Sequence, residues 1–224
     1  MKRLLFILFS CISFSILAQG SINCEEITND FSRWNKLGSE YKHKNNKKWS
    51  KAVLKEFPLN EDGSISYDYT CMVHGLDPNT LMKLSTGWVH NSFNIAKGAT
   101  LEIDTTKMTI TAYGQWGNVG QKIGFGATFI HAPMKVRLSF QEGKIRLQIK
   151  VEHYRMGSAN LFAGKVESDL ISIGKTYPAD EKSKHSGEYA MAFINTNANC
   201  ISMCKGYIDY MEKHLNDTNF DNDW

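Results

Sequence analysis

Proline is scarce, at 4 of 224 residues, so no proline-rich linker or extended recognition tract runs through the chain. Charge of one sign is lacking too. The 26 basic and 23 acidic side chains nearly cancel, and without Lys2 and Arg3 the balance is 24 against 23. A dedicated nucleic-acid binder carries a strong basic excess, so nucleic acid is not an expected partner. After Leu17 no apolar run is long enough to span a bilayer. No Gly-x-Ser-x-Gly nucleophile elbow and no His-Glu-x-x-His pair occurs. The crowded glycines Gly114, Gly117, Gly120, Gly124 and Gly126 are not followed by the lysine, hydroxyl and helix of a phosphate loop; they read as bulges and bends in a curved sheet. No cofactor and no metal are expected, and no catalytic residue is assigned.

What is present begins with the N-terminus. Lys2-Arg3, an apolar run from Leu4 to Leu17 and the small residues Ala18 and Gly20 have the order of a secretory signal peptide. Cleavage fits after Ala18 or Gly20. Leu8-Phe9-Ser10-Cys11 has the outline of a lipoprotein box, but Phe9 is bulky and the apolar run continues past Cys11. The expected product is an exported chain, periplasmic or extracellular, with no transmembrane segment. Apolar content of 42% supports a real core.

The expected organisation is a signal peptide over 1–18, a polar lysine-rich extension over 19–52, an α+β core over 53–155 and a C-terminal segment over 156–224. Residues 25 to 51 of the extension read as a loose helix or lead-in segment, either a contact for an acidic surface or a solvated extension. Glu56 to Leu59 is expected as an edge strand, because Pro58 cannot donate to a ladder. A turn at Asn60-Glu61-Asp62-Gly63 leads to a strand in which Ile65, Tyr67, Tyr69, Cys71 and Val73 alternate with polar neighbours. Asp77 caps a helix with Pro78 in its first position and Leu81, Leu84, Trp88 and Val89 on its apolar face, leaving at Lys97-Gly98. Thr100–Asp104 and Lys107–Tyr113 read as a hairpin, and Lys122–His131 as a further strand with Phe125 and Phe129 on one face. The clearest hairpin turns at Glu142-Gly143 and opposes Phe140 to Ile145, Leu138 to Leu147 and Val136 to Ile149. Glu167 to Ile171 is expected as a short helical turn and Pro178 to His185 as a polar linker. Met191, Ile194, Ala198, Ile201, Cys204, Ile208, Met211 and Leu215 step at helical spacing and mark a long amphipathic helix. Asp217 to Trp224 reads as an acidic tail, and Asn216-Asp217-Thr218 matches a glycosylation sequon. The fold class is α+β: an antiparallel sheet with helices packed on one face.

The Phe57–Gly63 segment, the strand after it, the Gly75-Leu76-Asp77 helix entry, Trp88 in that helix and the closing Lys135–His153 hairpin resemble the exported bacterial domain-of-unknown-function family 4468. The resemblance spans roughly residues 53 to 153. It implies a TBP-like fold, in the order strand, helix, several strands, helix. It implies no activity and no site residues, and a shape named after a DNA-binding protein does not carry DNA binding with it.

Four cysteines lie beyond the signal segment. Cys71 falls on the apolar face of its strand, where a free thiol packs as a small hydrophobe. Cys200 and Cys204 are four apart on one helix face, and a disulfide from Cys24 to Cys200 or Cys204 is the expected cross-link. Lys135, Arg137, Arg146 and Lys150 project from the polar face of the last hairpin. Such a cluster either holds an anionic ligand or keeps an uncovered sheet soluble. His74, His90, His131 and His153 are scattered at element ends. The leading expectation is a non-enzymatic envelope module binding a protein partner or an anionic ligand. The alternatives are a hydrolase-type enzyme with an unrecognised active site and a structural accessory subunit.

Overall fold

The computed structural model describes residues 20–42, 45–93, 99–123, 126–160, 164–178 and 185–215. The signal-peptide residues, the helix exit at Lys97-Gly98, Phe125, most of the 178–185 linker and the acidic tail with its sequon lie outside them. In chain order the elements are β1 (Ser21–Asn23), α1 (Glu25–Tyr41), α2 (Asn46–Glu56), β2 (Ile65–His74), α3 (Pro78–Ser92), β3 (Thr100–Asp104) and β4 (Thr109–Lys122). They continue with β5 (Gly126–Gln141), β6 (Lys144–Val151), β7 (His153–Asn160), β8 (Gly164–Ser172), α4 (Ile173–Thr176) and α5 (Ser186–His214).

The chain is an α+β protein in which helices cover one face of a single antiparallel sheet. The eight strands run β1-β2-β6-β5-β4-β3, while β7 pairs with the first half of β5 and β8 lies outside β7. The length of β5 makes this possible. Residues 126–131 face β7, and residues 135–141 face β6. The β5–β6 register opposes Phe140 to Ile145, Leu138 to Leu147 and Val136 to Ile149, as the alternation requires. Gly143 supplies the positive φ of the turn, at 67°.

Alternation decides which face is dry. Ile65, Tyr67, Tyr69, Cys71 and Val73 of β2 join Ile145, Leu147, Ile149 and Val151 of β6 in the core. Over them lies α5, with Phe193, Ile201, Cys204, Ile208 and Met211 buried. α3 enters as the sequence dictates: the Asp77 carboxylate accepts from the Asn79 and Thr80 amides at 2.9 and 3.2 Å, and Pro78 stands in the first turn. The glycine-rich stretch of β4 carries a register shift between Trp116 and Gly120. At Gly120 the helix comes so close that a Cβ would sit 2.4 Å from the Glu188 carbonyl oxygen.

Several expectations are corrected. Residues 56–59 are not a strand: α2 runs through Glu56, and Phe57 caps it and turns inward, 6.0 Å from the Trp34 ring and 6.2 Å from Tyr67. Burial of that aromatic outweighs the strand signal. Lys122 closes β4, and the strand expected over 122–131 begins at Gly126. Glu167–Ile171 is strand, not helix, because the free edge of β7 pairs with it. The lysine-rich segment, expected as a loose helix or lead-in, forms two helices, α1 and α2, that pack onto the core with Ile27 and Val53 buried. The boundaries expected at 53 and 156 therefore fall inside α2 and inside β7.

The disulfide expectation is corrected too. Cys24 bonds to Cys71, not to Cys200 or Cys204, which are free and buried. β1 pairs antiparallel with the end of β2, Asn23 opposite Met72, and this delivers Cys24 beside Cys71. The same contact overturns the reading of Cys71 as a free thiol.

Candidate functional site

The β5–β6 register brings the four cations of the hairpin to one face, opposite the helices. Lys135 stands against Lys150, Arg137 against Gln148, and Ser139 against Arg146. β2 flanks β6 on the same face, with Thr70 opposite Arg146 and Asp68 opposite Gln148. The open surface is polar because each of these residues alternates with a core residue.

The four are not equivalent. The Arg146 guanidinium donates from Nε to Asp68 Oδ1 at 2.8 Å and pairs through Nη2 with the other carboxylate oxygen. Gln148 donates to the same Asp68 carboxylate at 2.9 Å. The Arg146 hydrogen bond holds the Asp68 carboxyl below the usual carboxylate range, against a smaller opposing effect of burial. Lys150 lies 2.8 Å from both Asp62 and Glu152. Hydrogen bonds to those two carboxylates raise its pKa, Asp62 contributing most. Lys135 takes a different partner, its ammonium standing 5.5 Å over the Tyr113 ring. Arg137 is exposed, and no ion pair engages it among the described residues. Arg146 and Lys150 are thus neutralised in place, while Lys135 and Arg137 have no carboxylate partner among the described residues.

Sequence reasoning missed the acids. Asp68 belongs to the alternating polar set of β2, but its role follows from β2 lying next to β6, a long-range pairing that no local pattern announces.

Other reactive side chains are held in the core. Cys200 and Cys204 have their thiol pKa values pushed well above normal by burial, which keeps them protonated. The Tyr67 hydroxyl donates to Asn197 Oδ1 at 2.7 Å, and the Tyr69 hydroxyl donates to Asp30 at 2.7 Å. Tyr207 shares a 2.8 Å hydrogen bond with Ser85. These contacts bind α5, α1 and α3 to their neighbours, and burial raises the pKa of all three phenols. Of the expected histidines, His131 accepts at Nδ1 from the Asn118 amide at 3.4 Å, beside the bulge of β4. His74 ends β2 opposite Ser21, His90 lies in the last turn of α3, and His153 opens β7, so the four are not brought together.

No family model matches the chain, and no curated protein matches it. Two solved structures are similar. A TBP-like protein from Parabacteroides distasonis aligns at 10% identity over 68% of this chain and 97% of its own, with a TM-score of 0.48. A DUF4468 family protein from Bacteroides ovatus aligns at 9% identity over 66% of this chain and 88% of its own, with a TM-score of 0.40. These are the family and the fold description that the sequence resemblance named. At such identities and TM-scores neither carries a function over to this chain. No helix among the described residues is long and apolar enough to cross a membrane.

Proposed function

We propose that the chain is an exported, non-enzymatic envelope module that binds an anionic group of a partner through its uncovered sheet face. The observation that carries this reading is the division among the four cations. Arg146 and Lys150 are satisfied by Asp68, Asp62 and Glu152, whereas Lys135 and Arg137 stand two residues apart on β5 without a carboxylate partner among the described residues. Two exposed charges on a rigid strand form a preorganised contact for an anion. The export part of the reading rests on the N-terminal pattern and on the Cys24–Cys71 disulfide, which suits an oxidising compartment.

Retention of the chain from residue 19 on immobilised heparin, an anionic probe, tests the assignment. K135Q/R137Q is expected to elute at clearly lower salt than wild type, and D68N/R146Q, which removes a cation together with its carboxylate, close to wild type. Equal shifts for the two double variants, or no retention of wild type at low salt, would overturn it.

A further inference from the structure

β2 has one covered edge and one open edge. On one side it pairs with β6 from Ile65 to Met72; on the other, β1 reaches only Met72, Val73 and His74. Among the described residues no strand pairs with Ile65–Cys71 on that second side. The Val73 amide donates to the Gly143 carbonyl at 2.9 Å, so Val73 turns its backbone polar groups toward the β6 side. These groups alternate along an antiparallel strand. Cys71, Tyr69 and Tyr67 therefore point theirs at β6, and Ser66, Asp68 and Thr70 point theirs out of the open edge. Natural edges are closed to strand addition by lysine, proline or a bulge. Ile65–Cys71 has neither lysine nor proline, and its register with β6 runs without a shift. Its one charge, Asp68, is tied to Arg146 and Gln148.

A pocket of about 290 Å³ lies along the same stretch, between β2, α1 and the exit of α2. Phe57, Ile65, Tyr67 and Tyr69 give it ring and aliphatic walls. The polar groups around it already have partners. The Tyr67 hydroxyl donates to Asn197, the Tyr69 hydroxyl donates to Asp30, and Arg33 is held by Asp30 and Glu56. The Asn60 amide nitrogen donates to the Ser64 hydroxyl. Such a pocket suits an apolar side chain, which asks for no hydrogen bond of its own.

We propose that the open edge of β2 receives an extended peptide segment of a partner protein as an added antiparallel strand, in line with β1, with an apolar side chain in the pocket. β1 shows the geometry on the same edge. Ser21 and Asn23 are exposed, while Ile22 between them stands opposite Val73 and packs against the core. Directly opposed residues share a face. Residues of the added strand opposite Tyr69 and Tyr67 thus point to the helix side, as Ile22 does, and into the pocket. Those opposite Ser66, Asp68 and Thr70 carry the ladder hydrogen bonds. Residues 66–70 span about 17 Å of edge. In such additions the main-chain bonds supply affinity and the pocket supplies selectivity. This edge is separate from the cations of the proposed function, and the inference does not depend on that reading.

The test uses a capped, fluorescent nine-residue peptide alternating threonine with leucine, and three altered forms. The chain from residue 19 is expected to bind the parent peptide, and the amides of Ser66, Asp68 and Thr70 to exchange more slowly once it is bound. N-methylation of the threonine amides, which face β2, is expected to weaken binding at least about tenfold. N-methylation of the leucine amides, which face away, should change it by less than about twofold, whereas replacing the leucines by serine should weaken it about tenfold. K135Q/R137Q is expected to bind as wild type. Failure of the parent peptide to bind, equal effects of the two methylations, equal binding of the serine form or unchanged exchange at the three amides overturns the proposal. So does a dimer of the chain in sedimentation that protects the same three amides, since a second copy is then the occupant.

Discussion

Removing the Cys24–Cys71 bond by C24A/C71A will cost the fold about 4 kcal/mol. The two residues are 47 apart in sequence, and closing a loop of that length removes about 14 cal/mol/K of entropy from the unfolded chain. Both side chains are buried, so their truncation adds a smaller packing loss. β1 is only three residues long, so few backbone pairs hold it to β2 besides the bond. The pairing of β1 with β2 brings Cys24 beside Cys71, while α1 keeps its own tie to β2 through Asp30 and Tyr69. Urea unfolding of the chain from residue 19 measures the loss, and a melt should show a fall of roughly 8–16 °C. Alkylation gives an independent check: without reductant, two thiols, Cys200 and Cys204, should react after unfolding and none before. A stability change below about 1 kcal/mol, or four reactive thiols in the unreduced protein, would refute the reasoning.

Three further outcomes follow from single contacts. Gly120→Ala should destabilise the fold by about 1–3 kcal/mol in the same urea assay, since its methyl would meet the Glu188 carbonyl at 2.4 Å and Ala192 at 3.0 Å; a neutral result would mean that α5 does not lie where it is placed. Tyr207→Phe should cost about 1–2 kcal/mol by leaving the buried Ser85 hydroxyl without its 2.8 Å partner, and Y207F/S85A should recover part of that; no recovery would break the assignment. Asp68 should titrate below an ordinary aspartate in a carboxyl NMR titration and return towards normal in R146Q. Because its folded pKa is the lower one, its contribution is present above the unfolded value near 3.9 and disappears as pH falls through the folded value. An Asp68 that titrates normally in wild type would show that the Arg146 contact is absent in solution.

Local patterns made much of the fold legible. The β5–β6 register, the Asp77-Pro78 helix start and the long α5 all depend on spacing within one segment. The failures were long-range. Cys24 finds Cys71 through a three-residue strand with almost no pattern of its own. β8 was hidden because Glu167–Ile171 pairs with the edge of β7 despite its polar character. A loose helix over α1 was legible, but its packing was not: Ile27, Phe31, Trp34 and Leu37 step by four, three and three and pack into or against the core, and the lysines around them masked the stripe. In the candidate site, alternation placed Lys135, Arg137, Arg146 and Lys150 on one face. Which two are neutralised depends on Asp68 and Asp62, brought near by the β2–β6 pairing and the turn before it.

The central claim is that the open sheet face is the recognition surface. Capture from the native envelope with wild type and K135Q/R137Q as parallel baits addresses it most directly. A reproducible partner held by wild type and lost by K135Q/R137Q, with both baits equally folded, is the predicted result; the same partner held equally by both would contradict it.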